Sequence, residues 1–115
     1  MKFDHVGFIA DEKKDEEDYV EATKVWVTNP KTHTFNVEWQ RFEPDTPVTG
    51  PVRNQSHIAF QVEDLDEASK GMKLLLGPFW ANEKLRVGFF QYKDGTVVEF
   101  VEYKSNPNEW FGKET

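Results

Sequence analysis

Read as a string of apolar and polar positions, the chain opens on an alternation. Lys2 to Ala10 sets Val6 and Phe8 against His5, Gly7 and Ile9, the period of a strand with one greasy face. Lys13 to Thr23 is charged, with Tyr19, Val20 and Ala22 as its few apolar residues, and predicts a short, weakly packed helix. Lys24 to Thr28 predicts a strand, Asn29-Pro30 a turn, and Thr34 to Phe42 a further strand. Three prolines and a glycine between Glu43 and Asn54 predict an extended, irregular linker. His57 to Val62 then alternates again. Asp64 or Asp66 is placed to cap a helix with the apolar stripe Leu65, Ala68, Met72 and Leu75, stopped by Gly77-Pro78. Phe79 to Ala81 predicts a short strand. Leu85 to Tyr92 and Thr96 to Tyr103, joined by Lys93-Asp94-Gly95, predict a hairpin. The tail, 105–115, predicts loose docking through Trp110 and Phe111.

Two phrases in this pattern recur. DHVGFIADE (Asp4 to Glu12) lies over SHIAFQVED (Ser56 to Asp64) at an offset of 52, with His5 on His57, Val6 on Ile58, Gly7 on Ala59 and Phe8 on Phe60. FNVEWQRFE (Phe35 to Glu43) lies over TVVEFVEYK (Thr96 to Lys104) at an offset of 61, with Val37-Glu38-Trp39 on Val98-Glu99-Phe100. Ordered agreement of two separate phrases indicates a repeated supersecondary unit. The expected organisation is one domain, 1–115: module one at about 1–46, the linker at about 43–54, module two at about 55–104, and the tail.

Side chains alternate across a sheet, so the repeats also assign faces. Val6, Phe8, Ile58, Phe60, Val62, Val37, Trp39, Val98 and Phe100 form greasy faces suited to a helix layer. The opposite faces carry His5, His57, Glu38 and Glu99 among small or polar neighbours, Gln40 included. If those faces curve toward one another, two imidazoles and two carboxylates meet in a cleft. Buried carboxylates are costly unless something satisfies them. Two neutral imidazoles and two carboxylates balance a divalent cation, and these donors suit Zn, Ni, Co, Fe or Mn. Four protein ligands on a six-coordinate ion leave two positions open, a catalytic arrangement in form.

Composition narrows the picture further. The 115 residues suit one domain, and ten Phe, four Trp and three Tyr supply bulky core material. With no cysteine, disulfides and thiolate metal sites are excluded and a cytoplasmic setting is expected. No signal peptide and no membrane helix is visible. A formal charge of −7 speaks against nucleic acid and anionic lipid as partners. The acidic run Asp11 to Asp18 lacks the glycine and spacing of a calcium loop and reads as a solvated helix face, and His33 reads as exposed. No GxGxxG, GxSxG or HExxH motif occurs.

The phrases DHVGFIA, SHIAFQVEDLDEA, NVEWQRF and KDGTVVEFVEY together resemble the vicinal oxygen chelate superfamily, which includes glyoxalase I, methylmalonyl-CoA epimerase, extradiol dioxygenases and bleomycin resistance proteins. The resemblance implies an α+β fold of paired βαβββ modules forming a cup around a metal, with ligands His5, Glu38, His57 and Glu99. Only 33 residues separate His5 from Glu38, against 42 between His57 and Glu99, so module one is expected to be abbreviated, with a truncated helix and a missing or very short strand. Gln40 shares the face of Glu38 and is the alternative first-module ligand.

The function implied is a divalent-metal-dependent lyase or isomerase that holds adjacent oxygens of a small carbonyl substrate while Glu99, partnered by Glu38, moves a proton from the neighbouring carbon. The alternative is a metal-free binding cup of the bleomycin-resistance kind, using aromatics such as Trp39, Phe89 or Trp80; a dioxygenase ranks last. The resemblance also implies a homodimer, with or without exchange of modules.

Overall fold

The computed structural model describes residues 1–104 and the backbone of residues 109–110 and 113–114. Module one supplies strands β1 (Lys2–Ile9), β2 (Asp18–Val20), β3 (Val25–Val27) and β4 (Val37–Phe42), with a 3-10 turn at Pro30–Thr32. A one-turn helix, α1 (Pro51–Asn54), lies between the modules. Module two supplies β5 (His57–Gln61), α2 (Leu65–Ala68), β6 (Lys73–Asn82), β7 (Leu85–Gln91) and β8 (Val97–Tyr103). These eight strands make one sheet in the order β2-β3-β4-β1-β5-β8-β7-β6. Two further short strands, β9 (Glu109–Trp110) and β10 (Lys113–Glu114), pair with each other. The expected docking of Trp110 and Phe111 lies outside the described side chains.

The repeat is visible in the hydrogen-bond register. In module one β1 pairs parallel with β4, putting Gly7 beside Glu38 and Phe8 beside Trp39. In module two β5 pairs parallel with β8, putting Ala59 beside Glu99 and Phe60 beside Phe100. These are the same pairs under the offsets of 52 and 61. The modules join through β1 and β5, which run antiparallel with Val6 opposite Ile58. A pseudo-two-fold axis therefore passes through that pair, and each histidine stands opposite the small residue of the other strand: His5 faces Ala59 and His57 faces Gly7.

The sheet curves until its two edges approach. Val20 of β2 and Leu76, Phe79 and Ala81 of β6 line one shared cavity. The concave side holds the larger apolar cluster, which includes Val20, Val25, Val27, Phe42, Val87, Phe89 and Val101. The convex side of module two holds a smaller one, where Leu65 of α2 packs with Phe90, Val98 and Phe100. Full burial of a side chain the size of Leu65 contributes about 1.5–3 kcal/mol.

Four expectations need correction. The segment 13–23 contains no helix. Glu16 has φ 54°, outside the helical region, and the Glu17 carboxylate accepts two bonds from Arg41 of β4, at 2.6 and 3.0 Å, while β2 pairs with β3. A segment with few apolar residues has little to bury as a helix, and the paired strand wins. The second helix is capped by Asp64, whose side chain accepts from Glu67 N at 3.1 Å, but it ends at Ala68. Gly71, at φ 82°, takes the left-handed turn that releases the chain, and Met72 and Leu75 are not on the helix. Instead Lys73–Asn82 is a ten-residue strand running through Gly77-Pro78, which β6 tolerates because it is an edge strand. The linker is also not merely extended: it turns through α1 and buries Val48 and Val52 in the concave cluster. His33 is half-buried rather than exposed, accepting from Phe35 N at 3.0 Å.

Candidate metal centre

Burial along β4 is inverted with respect to hydropathy. Glu38, Gln40 and Phe42 are buried while Val37 and Trp39 are half-buried. The reason is that the concave face, not the greasy one, is sealed in module one. Among the described residues no helix covers Val37 and Trp39 there; Phe8 packs on Trp39 with ring centroids 5.5 Å apart at 42°, and the Lys14 ammonium sits 4.7 Å from the ring centroid. In module two α2 does cover the equivalent face.

The concave face brings all four expected residues together. His5, Glu38, His57 and Glu99 are buried, and each offers a donor atom within 4.8 Å of the others. Glu99 Oε1 lies 3.2 Å from His5 Nε2 and 3.1 Å from His57 Nε2. Glu38 Oε1 lies 3.5 and 3.7 Å from the same two nitrogens, which are 3.4 Å apart. Donors bound to one ion at about 2.1 Å stand roughly 3.0 Å apart at right angles and roughly 3.4 Å apart in a tetrahedron. The spacings of 3.1, 3.2 and 3.4 Å fall in that range, and the two to Glu38, at 3.5 and 3.7 Å, lie just beyond it.

Hydrogen bonding alone does not satisfy this cluster. The imidazoles at 3.1 and 3.2 Å reach Glu99 Oε1 in poor alignment for a hydrogen bond, and His57 Nδ1 and Gln40 Oε1 have no partner. An unmet buried polar group costs about 1–3 kcal/mol. Of these atoms, Glu99 Oε1 points at the converging donors, whose matched charge fits a divalent cation. Gln40 lies beside Glu38 on the same face, its Nε2 donating to Glu38 Oε1 at 3.2 Å.

Without a cation the charges lean on each other. Burial pulls the His5 pKa down, but the Glu38 charge and the bonds to Asp4, Glu38 and Glu99 overcome it and hold it well above its ordinary 6.5. Burial pushes the Glu99 carboxyl up, and the two imidazoles more than offset this, holding it well below 4.5.

The parity argument missed Asp4. It is fully buried, and its Oδ2 lies 2.5 Å from His5 Nδ1. A bulge puts it there: Phe3 pairs with Phe60 and His5 with Ala59, so two steps on β1 match one on β5 and Asp4 is the extra residue. The one sequence signal was a break in the repeat, since Asp4 precedes His5 where Ser56 precedes His57.

Glu38, Gln40 and Glu99 border a cavity of about 40 Å³ walled by Val25, Val27, Leu85, Val87 and Phe89, and the two histidines lie outside its lining. Val48 and Val52 of the linker also line it. This space holds roughly two to four waters. His33, and the acidic run 11–18, take no part in the site. Among the described residues no helix is long and apolar enough to cross a membrane.

No protein-family model matches the sequence, and no curated protein matches it in sequence. Among solved structures, methylmalonyl-CoA epimerase from Mycobacterium tuberculosis is similar, with TM-score 0.57 at 16% identity over 89% of this chain and 87% of that one. A glyoxalase family protein from Bacillus cereus aligns over 91% of this chain and 95% of its own at 14% identity, with TM-score 0.40. The first likeness agrees with the duplicated register and the curved mixed sheet, and on those grounds the chain has the glyoxalase-like fold of paired modules found in vicinal oxygen chelate proteins.

Proposed function

We propose that this protein is a divalent-metal-dependent isomerase or lyase that moves a proton next to a carbonyl of a small substrate. The observation that carries the reading is the convergence of His5, Glu38, His57 and Glu99 at the buried base of a cup, at spacings suited to one ion. A cation held there supplies Lewis-acid polarisation of a substrate oxygen.

The chain's own residues divide the remaining work. With a cation in place, His5 and His57 would present Nε2 to it. Gln40 donates to Glu38, and Glu99 borders the cavity, so Glu99 is assigned to take a proton from the carbon beside the carbonyl. Glu38 stands across the site to return it. Val25, Val27, Val87 and Phe89 exclude water, which strengthens each charge interaction inside. The cavity limits the enclosed part of a substrate to a few heavy atoms while Val48 and Val52 are seated.

The test is proton exchange. Metal-loaded wild type should catalyse deuterium uptake from solvent into small α-hydroxycarbonyl and 1,2-dicarbonyl compounds, and Glu99→Gln should lose at least a hundredfold of that rate, within the 10²–10⁴ range for a general base. Full exchange in Glu99→Gln removes this carboxylate from the mechanism. A second reading, a metal-free binding cup, draws on the apolar wall and on the raised His5 pKa, which lets an imidazolium neutralise part of the acidic charge by itself. Purified protein that carries no metal and gains no melting temperature from Zn, Ni, Co, Mn or Fe would favour it.

A further inference from the structure

We infer that Asp4 is a positioning residue: it locks His5 in the tautomer that turns Nε2 toward the ion, making His5 the anchored imidazole of the site and His57 the loosely held one. The inference rests on the metal-site reading above and extends it to a residue outside the four donors.

The two oxygens of Asp4 have separate duties. Oδ1 accepts from three side chains on three elements: Lys31 Nζ of the 3-10 turn, Gln61 Nε2 of β5 at 2.9 Å and Tyr103 OH of β8 at 3.0 Å. The Asp4 backbone carbonyl accepts from Asn36 Nδ2 at 3.0 Å, which steadies the bulge. With Oδ1 so engaged, Oδ2 is left for His5 Nδ1 at 2.5 Å. An ionised carboxylate only accepts, so the facing nitrogen carries the hydrogen. In the neutral ring that leaves the lone pair on Nε2, the atom 3.2 Å from Glu99 and 3.5 Å from Glu38. The donors reaching Asp4 come from both modules, so its position registers one half of the cup against the other.

His57 is held differently. Its Nδ1 has no hydrogen-bond partner, and the residue before it, Ser56, is exposed. The ring is wedged over Gly7 and against Phe89, with centroids 5.2 Å apart at 89°. Packing of that kind sets the plane of a ring but not which nitrogen bears the hydrogen. The two halves of the repeat thus supply matching donors with unequal support.

The experiment compares wild type, Asp4→Asn, Asp4→Ala and Tyr103→Phe after chelator treatment. Zinc affinity is read by calorimetry, and histidine tautomers by nitrogen NMR of histidine-labelled protein with and without zinc. Asp4→Ala should bind zinc 10–100-fold more weakly, the usual cost of removing a ligand's outer partner. Asp4→Asn, which keeps an acceptor without the charge, and Tyr103→Phe, which touches Asp4 but no donor, should show smaller losses of the same sign. In metal-free protein at a pH above the raised His5 value, the His5 signals should report a single Nδ1–H form in wild type and a mixture in Asp4→Ala. If Asp4→Ala does not fold, the other two variants carry the comparison. Wild-type zinc affinity and unchanged His5 signals in folded Asp4 variants overturn the inference alone. Wild type that takes up no zinc overturns the metal reading and this inference with it, and the two failures are told apart by the wild-type titration.

Discussion

Gly7 lies directly beneath the imidazole of His57. A Cβ on Gly7 would stand 2.0 Å from His57 Cε1 and 2.4 Å from Nε2, well inside any tolerated contact. The ring must therefore leave its place if Gly7 gains even a methyl group. Gly7→Ala should lower zinc affinity at least tenfold and cost about 1–3 kcal/mol of stability from overpacking. Zinc calorimetry and urea unfolding check both. Unchanged affinity in a folded Gly7→Ala protein would show that His57 is not a ligand.

Metal binding should also appear as stability. A ligand that binds only the native state at a hundredfold its Kd adds about 2.7 kcal/mol. Wild type should show that gain with zinc, measured as a shift in the urea midpoint, and His57→Ala should show little or none. An equal gain in both would place the ion elsewhere.

The metal-free protein should be most stable in mildly acidic solution. His5 binds its proton more tightly when folded, so its contribution is complete below about 6.5 and fades as pH rises through the raised folded value. Glu99 is shifted the other way, so its contribution is complete above about 4.5 and fades as pH falls toward its lowered folded value. The urea midpoint of chelator-treated protein should therefore peak between those limits. Saturating zinc takes the place of the His5 proton and should flatten the alkaline side. An alkaline decline that persists unchanged with zinc bound would show that His5 is not the group responsible.

The seated linker gives a separate prediction. Val52 is 3% exposed and packs with Val48 over the cavity. Val52→Ala removes part of a buried side chain otherwise worth about 1.5–3 kcal/mol, so it should destabilise by a fraction of that, and it should quicken zinc exchange with a chelator by loosening the roof. A loss of stability with no change in exchange rate would mean that the ion reaches its donors by another route.

The convergence of the four side chains was legible because it depended only on strand parity and on two phrases repeated in order. Both survive uncertainty about where elements end, and His5, Glu38, His57 and Glu99 converge as the shared face requires. The abbreviated first module was legible from the short spacing between His5 and Glu38, and β2 is indeed three residues long. Lengths of helices were not. Met72 and Leu74 to Leu76, interrupted only by Lys73, fit a helix stripe and a strand equally, and Gly71 at positive φ decided for the strand. Lys13 to Thr23 looked helical by composition, but Arg41 and β3 lie across the fold from it and could not be weighed locally. Asp4 escaped because a bulge breaks the rule that neighbours point opposite ways.

The inverted burial of β4 has a consequence for anyone altering this protein. A hydropathy profile would nominate Trp39 as core and Glu38 as surface, whereas the carboxylate is the enclosed residue and the indole is partly bathed in solvent. Mutational scans should therefore find aromatic-to-polar replacements at Trp39 better tolerated than acid-to-aliphatic ones at Glu38. A redesign that trusted polarity as a guide to depth would dismantle the donor cluster while polishing what it took for the exterior.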